Sequence, residues 1–187
     1  MNQVTPIALA SWQNFYVIVG SSAGALTGLQ FVVMTLVTQA RAASNVRDIR
    51  AFGTPTVIHF CTALLISAGM TAPWKALASL GLCLAASGAL GVVYSLRIIW
   101  HARKAAYQPD RVDWIWYVVA PLFGHLALLV AAALIWSNVL WSPAIIAADA
   151  LAFLFLGVRN SWDTVTFIAV QHGKRLSGDK TEDQVDS

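Results

Sequence analysis

Residues 143–170 read PAIIAADALAFLFLGVRNSWDTVTFIAV, a mainly apolar run that is long enough to cross a membrane as one helix. Polar residues interrupt this run, with Asp149 alone near its start and Arg159, Asn160 and Asp163 further along. At about 100° per residue, Asp149, Asn160 and Asp163 fall within a sector of about 60°, and Arg159 flanks it. One face of an apolar helix is therefore polar. In a membrane, such a face indicates either a functional site or an Arg159–Asp163 ion pair that holds helices together.

The composition of the whole chain indicates the same environment. Hydrophobic residues make up 58% of the 187 residues and charged residues only 11%, whereas soluble domains carry roughly 25% charged residues. The charges lie in short clusters between long apolar runs, so we predict an all-α integral membrane protein that sits in a lipid bilayer. The net charge of +3 is spread over separate loops and does not indicate nucleic-acid binding.

Five apolar segments predict a bundle of five transmembrane helices within residues 15–172. Residues 1–14 carry no charged side chain and are expected to lie at the membrane interface. Residues 173–187 are polar, and we expect them to form a disordered cytoplasmic tail. Thr5-Pro6 and Thr54-Pro55 are typical of helix starts that place proline at the first helical position. The predicted spans are 15–38, 55–70, 77–100, 114–137 and 143–170.

The distribution of lysine and arginine predicts the orientation of the bundle. With five spans, the two longer loops and the tail, which together carry most of the basic residues, fall on one side of the membrane. The opposite side has Lys75, in a short turn that should make spans two and three an antiparallel hairpin. Because basic loops stay in the cytoplasm, we predict that the N-terminus is outside and the C-terminus is cytoplasmic.

Small residues in two of the spans predict close packing between helices. Glycines at helical spacing let a second backbone approach closely, either within one subunit or between two subunits. Because a single five-helix bundle need not use all of these surfaces, we expect a homo-oligomer. The glycines are Gly20, Gly24 and Gly28 in the first span and Gly81, Gly88 and Gly91 in the third.

The fourth span contains a proline within its apolar run. Pro121 cannot donate a backbone hydrogen bond to the carbonyl of Tyr117. We therefore expect a kink at Pro121, which a membrane helix tolerates when neighbouring groups satisfy the carbonyl that is left.

Every span places a polar group at a similar predicted depth. A rise of about 1.5 Å per residue puts these groups roughly 6–16 Å from the predicted cytoplasmic end of each span. Their convergence predicts a polar layer in the cytoplasmic half of the membrane, lining a hydrated cavity or an ion path. A structural, hydrogen-bonded role is the common alternative for any single histidine. The groups are Gln30, His59, Tyr94, Ser95, His125, Arg159, Asn160 and Asp163, with Asp149 alone toward the outer side.

Three function classes fit this pattern. The first is a small oligomeric pore or transport protein for ions or small solutes, and the second is an assembly subunit whose polar groups only hold helices together. The third is a redox subunit with a haem between His59 and His125 or a link to quinone, although the predicted depths of the two histidines differ by several ångströms. No enzymatic motif occurs, and the spacing of Cys61 and Cys83 predicts neither a disulfide nor a metal site.

Three segments resemble a loose group of small bacterial multi-pass inner-membrane proteins that has no assigned activity. They are the first span, TPTVIHF at residues 54–60 and GVRNSWDTVT at residues 157–166. The resemblance covers most of the membrane part and implies a bacterial inner-membrane location. It implies no activity.

Overall fold

The computed structural model describes residues 9–40, 46–104 and 114–185, with side chains over 9–35, 54–100 and 114–166. The regular structure in these ranges is helical. A π-helical segment, Ile115–Val119, leads directly into the fourth helix. The helices are α1 (Gln13–Ala40), α2 (Val46–Thr71), α3 (Leu77–Lys104), α4 (Ala120–Trp136) and α5 (Ser142–Val185).

Five segments within these helices are long and apolar enough to cross a membrane. Each has 18 to 25 residues and a mean hydropathy of 1.3 to 2.4. The predicted all-helical architecture with five spans is therefore confirmed over the described ranges, whereas the sides on which the termini lie stay a prediction. The segments are Gln13–Thr35, Thr54–Thr71, Leu77–Trp100, Ile115–Trp136 and Ser142–Thr166.

The last helix lies at the centre of the bundle. α5 packs against α2, α4 and α1, while α1 pairs closely with α2 and α3 pairs closely with α4. The predicted hairpin of spans two and three is present as consecutive helices, but α2 and α3 touch each other far less than they touch other helices. α3 instead turns its glycines toward α4, and this contact determines where it packs.

Four of the six predicted packing glycines have close neighbours in the same chain. A Cβ at Gly88 would lie 3.1 Å from the carbonyl oxygen of His125, and one at Gly20 would lie 2.9 Å from the Cβ of Ser67. Gly81 and Gly91 also face α4. For the two others, no described atom lies within 4 Å of a Cβ placed there, so packing against a second subunit stays a prediction. These two are Gly24 and Gly28.

Two predicted helix boundaries differ from the structure. α2 begins at Val46 and contains Pro55 in its interior, so Thr54-Pro55 does not start the helix. A proline inside a membrane helix is tolerated because neighbouring groups can satisfy the carbonyl that it leaves. α5 continues to Val185, which includes most of the predicted disordered tail. That segment contains many strong helix formers, among them Lys, Arg, Leu, Glu and Gln. Thr5-Pro6 lies outside the described residues.

A kink is expected at Pro121 from the sequence, and the structure has a short π-helix, Ile115–Val119, just before it. The N–H of Ala120 donates to the carbonyl of Ile115, five residues back, as a π-helix requires. Pro121 then occupies the first turn of α4, where its missing N–H costs least. The π-helical segment therefore lets the chain pass the proline while the fourth span stays helical.

A compact turn joins α4 to α5. Asn138 has a φ of 61°, in the left-handed region, and its N–H donates to Ile135 at 3.0 Å while Val139 donates to Leu134 at 2.9 Å. This is the helix-ending motif that usually places glycine at the left-handed position. Just beyond the turn, the Tyr16 hydroxyl donates to the carbonyl of Pro143 at 2.7 Å. The start of α1 therefore lies beside the start of α5.

Candidate functional site

Two histidines from different helices meet at one phenylalanine of α5. The ring centroid of Phe153 lies 6.0 Å from that of His59, on α2, and 4.6 Å from that of His125, on α4. All three side chains are at most 1% exposed. The two imidazoles, which come from different helices, therefore contact the same aromatic ring in the interior of the bundle.

The polar atoms of this histidine pair are unsatisfied. None of the four ring nitrogens of His59 and His125 has a hydrogen-bond partner among the described residues. Glycines make the space for the rings: a Cβ at Gly91 would overlap the imidazole of His125, and one at Gly124 would lie 2.8 Å from the Phe153 ring. Buried polar atoms without partners are uncommon in folded proteins and point to water or a ligand that completes the site.

Asn160 lies two helical turns from Phe153, toward the end of the bundle at which α1 ends. Its side chain is fully buried, and neither its amide oxygen nor its amide nitrogen is hydrogen-bonded to any described group. Next to it in the sequence, the Ser161 hydroxyl donates to the Gln30 side-chain oxygen at 2.9 Å. Gln30 is 3% exposed, so α1 contributes a second buried amide at this end.

Asp149 lies one helical turn from Phe153 in the opposite direction. It is 6% exposed, and its Oδ2 has no hydrogen-bond partner in the part of the chain that the structure describes. On α2, Ser67 is also buried with an unpartnered hydroxyl. An unpaired buried carboxyl group is costly whenever it is charged. Asp149 therefore needs either a proton or a partner.

These groups lie on or beside one face of α5. We define the buried polar column as Asn160, His59, His125 and Asp149, the groups arranged around and on either side of Phe153. At about 1.5 Å per residue, the column extends over about 16 Å from Asn160 to Asp149. The sequence-based prediction of a polar face on α5 thus corresponds to a set of buried side chains that point into the protein.

Arg159 and Asp163 lie at the edge of the bundle and outside the column. Their side chains are 33% and 43% exposed, and the predicted ion pair between them is present at 3.6 Å. The Arg159 guanidinium also lies 4.7 Å from the centre of the Trp116 ring, and the Tyr117 hydroxyl donates to Asp163 at 3.3 Å. We call these four residues the peripheral cluster. It fastens α5 to the π-helical segment.

Other predicted members of the polar layer have separate roles. Ser95 is buried, and its hydroxyl donates to the carbonyl of Gly91 at 2.9 Å within α3. Tyr94, the next residue on the same helix, is half-buried. The layer predicted from depth alone therefore divides into a column, a peripheral cluster and a serine whose hydroxyl is bound within α3.

The sequence-based reasoning missed Phe153 and the role of Gly91. A single phenylalanine among aliphatic residues carries no functional signal, although Phe153 lies four residues after Asp149 and therefore on the polar face. Gly91 was assigned to backbone packing, whereas it faces a side chain that belongs to the site.

A separate open pocket with a volume of about 410 Å³ lies at the end of the bundle where α1 begins and α2 turns into α3. Gln13, Trp74 and Lys75 are among the residues that line it. None of the residues predicted for the functional site belongs to this pocket.

Within the described ranges, no group of three or more His, Cys, Asp and Glu side chains is placed to hold a metal ion. Comparisons with known protein families, curated proteins and solved structures give no match for this chain.

Proposed function

We propose that this chain is a membrane transport protein that moves ions or small solutes through the interior of its helical bundle. The observation that carries the proposal is the buried polar column, four polar side chains whose buried atoms lack partners in the described structure. In an apolar membrane, polar groups that face the protein interior commonly mark substrate and ion pathways. A purely structural role favours paired groups, since each unsatisfied buried atom is destabilising.

The extent of the column also favours a path across the membrane. It covers about 16 Å of a hydrocarbon core that is roughly 30 Å thick. The buried Gln30 lies near the Asn160 end and lengthens the polar face toward that side. This arrangement differs from the predicted layer, which was confined to the cytoplasmic half. It supports transport better, because a path has to extend along the membrane normal.

The setting of the proposed activity follows from the sequence. Basic loops on one side support a cytoplasmic C-terminus, and the resemblance described above supports a bacterial inner membrane. Gly24 and Gly28 form an open strip on α1 that no described residue covers, which supports assembly of several copies. Native mass spectrometry in detergent, at several protein concentrations, would reveal that assembly.

Ion flux into proteoliposomes tests the proposal. Vesicles with the full-length protein should take up at least one ion faster than protein-free vesicles. Asn160→Leu replaces a buried amide by an apolar side chain of similar size and should abolish most of this flux. Asn14→Leu makes the same change at an exposed position of α1 and should leave the flux intact. Absence of flux for every ion and solute tested would contradict the proposal.

A second candidate function, haem-linked redox chemistry, is favoured by one specific observation. His59 and His125 lie on different helices, contact the same phenylalanine and have unpartnered ring nitrogens. Two histidines can hold a haem iron from opposite faces, although Phe153 would have to leave the space that it fills. The absorption spectrum of the purified protein discriminates the two candidates, because a haem protein shows a Soret band. If neither flux nor a Soret band is observed, the assembly-subunit alternative is the better account.

A further inference from the structure

We propose that the species that moves along the buried polar column is the proton. This inference rests on the proposed transport function and specifies its substrate. It is carried by two features of the described residues: the chemical nature of the groups in the column, and the close packing of the side chains around them.

The groups of the column are suited to protons. Imidazole and carboxyl groups both bind and release protons, and chains of Asp, Glu and His relay them in membrane proteins. Calcium, a typical hard metal cation, needs six to eight oxygen ligands, whereas the column offers two imidazoles, one amide and one carboxyl group. An anion path would need a cation in the column, and the nearby Arg159 lies instead in the peripheral cluster, paired with Asp163.

The packing around the column also favours protons. Leu128, Ala131 and Phe153 are fully buried, and Leu156 is 7% exposed. These apolar side chains fill the described core beside the polar groups, so a hydrated ion would have to displace several of them. A proton needs only short-lived hydrogen bonds through single water molecules, and one water fits a polar site that offers two or more partners.

Titratable groups on the surrounding helices do not take part in the proposed path. On α1, the Tyr16 hydroxyl is bound to the carbonyl of Pro143, and in the π-helical segment the Tyr117 hydroxyl is bound to Asp163. On α3, Tyr94 is a further titratable side chain, and it lies next to Ser95, whose hydroxyl is bound to the carbonyl of Gly91 within the same helix. The buried titratable side chains with unpartnered atoms in the described part of the chain are His59, His125 and Asp149.

Proton uptake by proteoliposomes tests this inference. The full-length protein is reconstituted with a pH-sensitive dye inside the vesicles, and a potassium gradient with valinomycin sets the membrane potential. We expect proton uptake above that of protein-free vesicles, unchanged when sodium or chloride is replaced by impermeant ions. Uptake should be slower in D₂O, because the moving species is then the deuteron.

Substitution of the histidines identifies the path. His59→Gln and His125→Gln keep a polar side chain of similar size but cannot relay a proton through a ring, and each should lower uptake by about tenfold or more. Tyr117→Phe removes a titratable group from the peripheral cluster and should leave uptake nearly unchanged. Size-exclusion chromatography shows whether each variant is folded. If the histidine variants do not fold, the comparison of H₂O and D₂O with the unmodified protein still tests the inference.

The outcomes separate this inference from the proposed function. Flux of sodium, potassium or chloride without proton uptake would overturn the proton assignment and leave transport in place. Absence of every flux would overturn both. Proton uptake that is equal in folded His59→Gln and His125→Gln, or that is as fast in D₂O as in H₂O, would exclude relay through the column.

Discussion

The buried polar column and the peripheral cluster lie on the same helix, but their surroundings are opposite. In the column, Asn160 and the histidine pair are buried, and their polar atoms have no described partners. In the peripheral cluster, Arg159 and Asp163 are partly exposed, paired with each other and held by two aromatic residues. The peripheral cluster contains the charged pair Arg159 and Asp163, which is the feature that the sequence makes most visible. The column has the unsatisfied buried atoms that call for water or a ligand, so burial without a partner is the more informative sign.

The largest expected effect comes from removal of the side chain at the centre of the column. Phe153→Ala should lower the free energy of unfolding by about 3–5 kcal/mol, since it leaves a cavity in a fully packed site. It should also raise the basal flux, because water can enter beside the histidines. Thermal unfolding in detergent and vesicle flux measure the two effects.

Phe155→Ala is the matched control for this change. Phe155 lies on the same helix but is 65% exposed and so faces outward. Phe155→Ala should lower the free energy of unfolding far less than Phe153→Ala. Equal losses of stability would show that Phe153 does not occupy a packed core position.

An intermediate effect is expected when a methyl group is added at a glycine beside the column. Gly91→Ala would place a Cβ where the His125 imidazole lies, so it should destabilise the protein by about 1–3 kcal/mol and disturb flux. Gly69→Ala adds the same group on α2, where the nearest atoms lie 3.9 Å away, and should be neutral or slightly stabilising, because alanine favours helix. If both variants behave alike in thermal unfolding, His125 does not pack against α3 as described.

The smallest effect is expected in the peripheral cluster. Arg159→Gln and Asp163→Asn should each change the free energy of unfolding by about 1 kcal/mol or less, because both side chains are exposed enough for water or lipid headgroups to replace the ion pair. The double variant should show a coupling energy of about 0.2–1 kcal/mol in a double-mutant cycle. A coupling of several kcal/mol would mean that the pair is buried, for example by a second copy of the chain, and would remove the contrast between the two regions.

The sequence was sufficient for the span count because each span is a long apolar run bounded by charged clusters or by short turns that contain proline, and the length of the runs is set by the thickness of the bilayer. It was insufficient for helix ends. Thr54-Pro55 has the residues of a helix start, yet α2 passes through it, since neighbouring helices and not local signals decide where a membrane helix begins.

The candidate site was predicted only in part for a similar reason. Sequence spacing places Asp149, Asn160 and Asp163 in one sector, but it cannot show how far the neighbouring helices cover that sector, so it does not distinguish the buried Asn160 from the partly exposed Asp163. The convergence of His59 and His125 depends on the offsets at which α2 and α4 pack against α5. Those offsets come from contacts such as Gly124 of α4 against Phe153 and Gly157 of α5 against Phe60, which become visible only in three dimensions.

The most direct test compares two carboxyl groups of α5 in one assay. Asp149→Asn and Asp163→Asn make the same chemical change, the first in the buried polar column and the second in the peripheral cluster. Proton uptake by proteoliposomes with equal amounts of folded protein should fall by about tenfold or more in Asp149→Asn, while Asp163→Asn should keep most of the uptake of the unmodified protein. The reverse result, with loss in Asp163→Asn and normal uptake in Asp149→Asn, would contradict the assignment of function to the buried column.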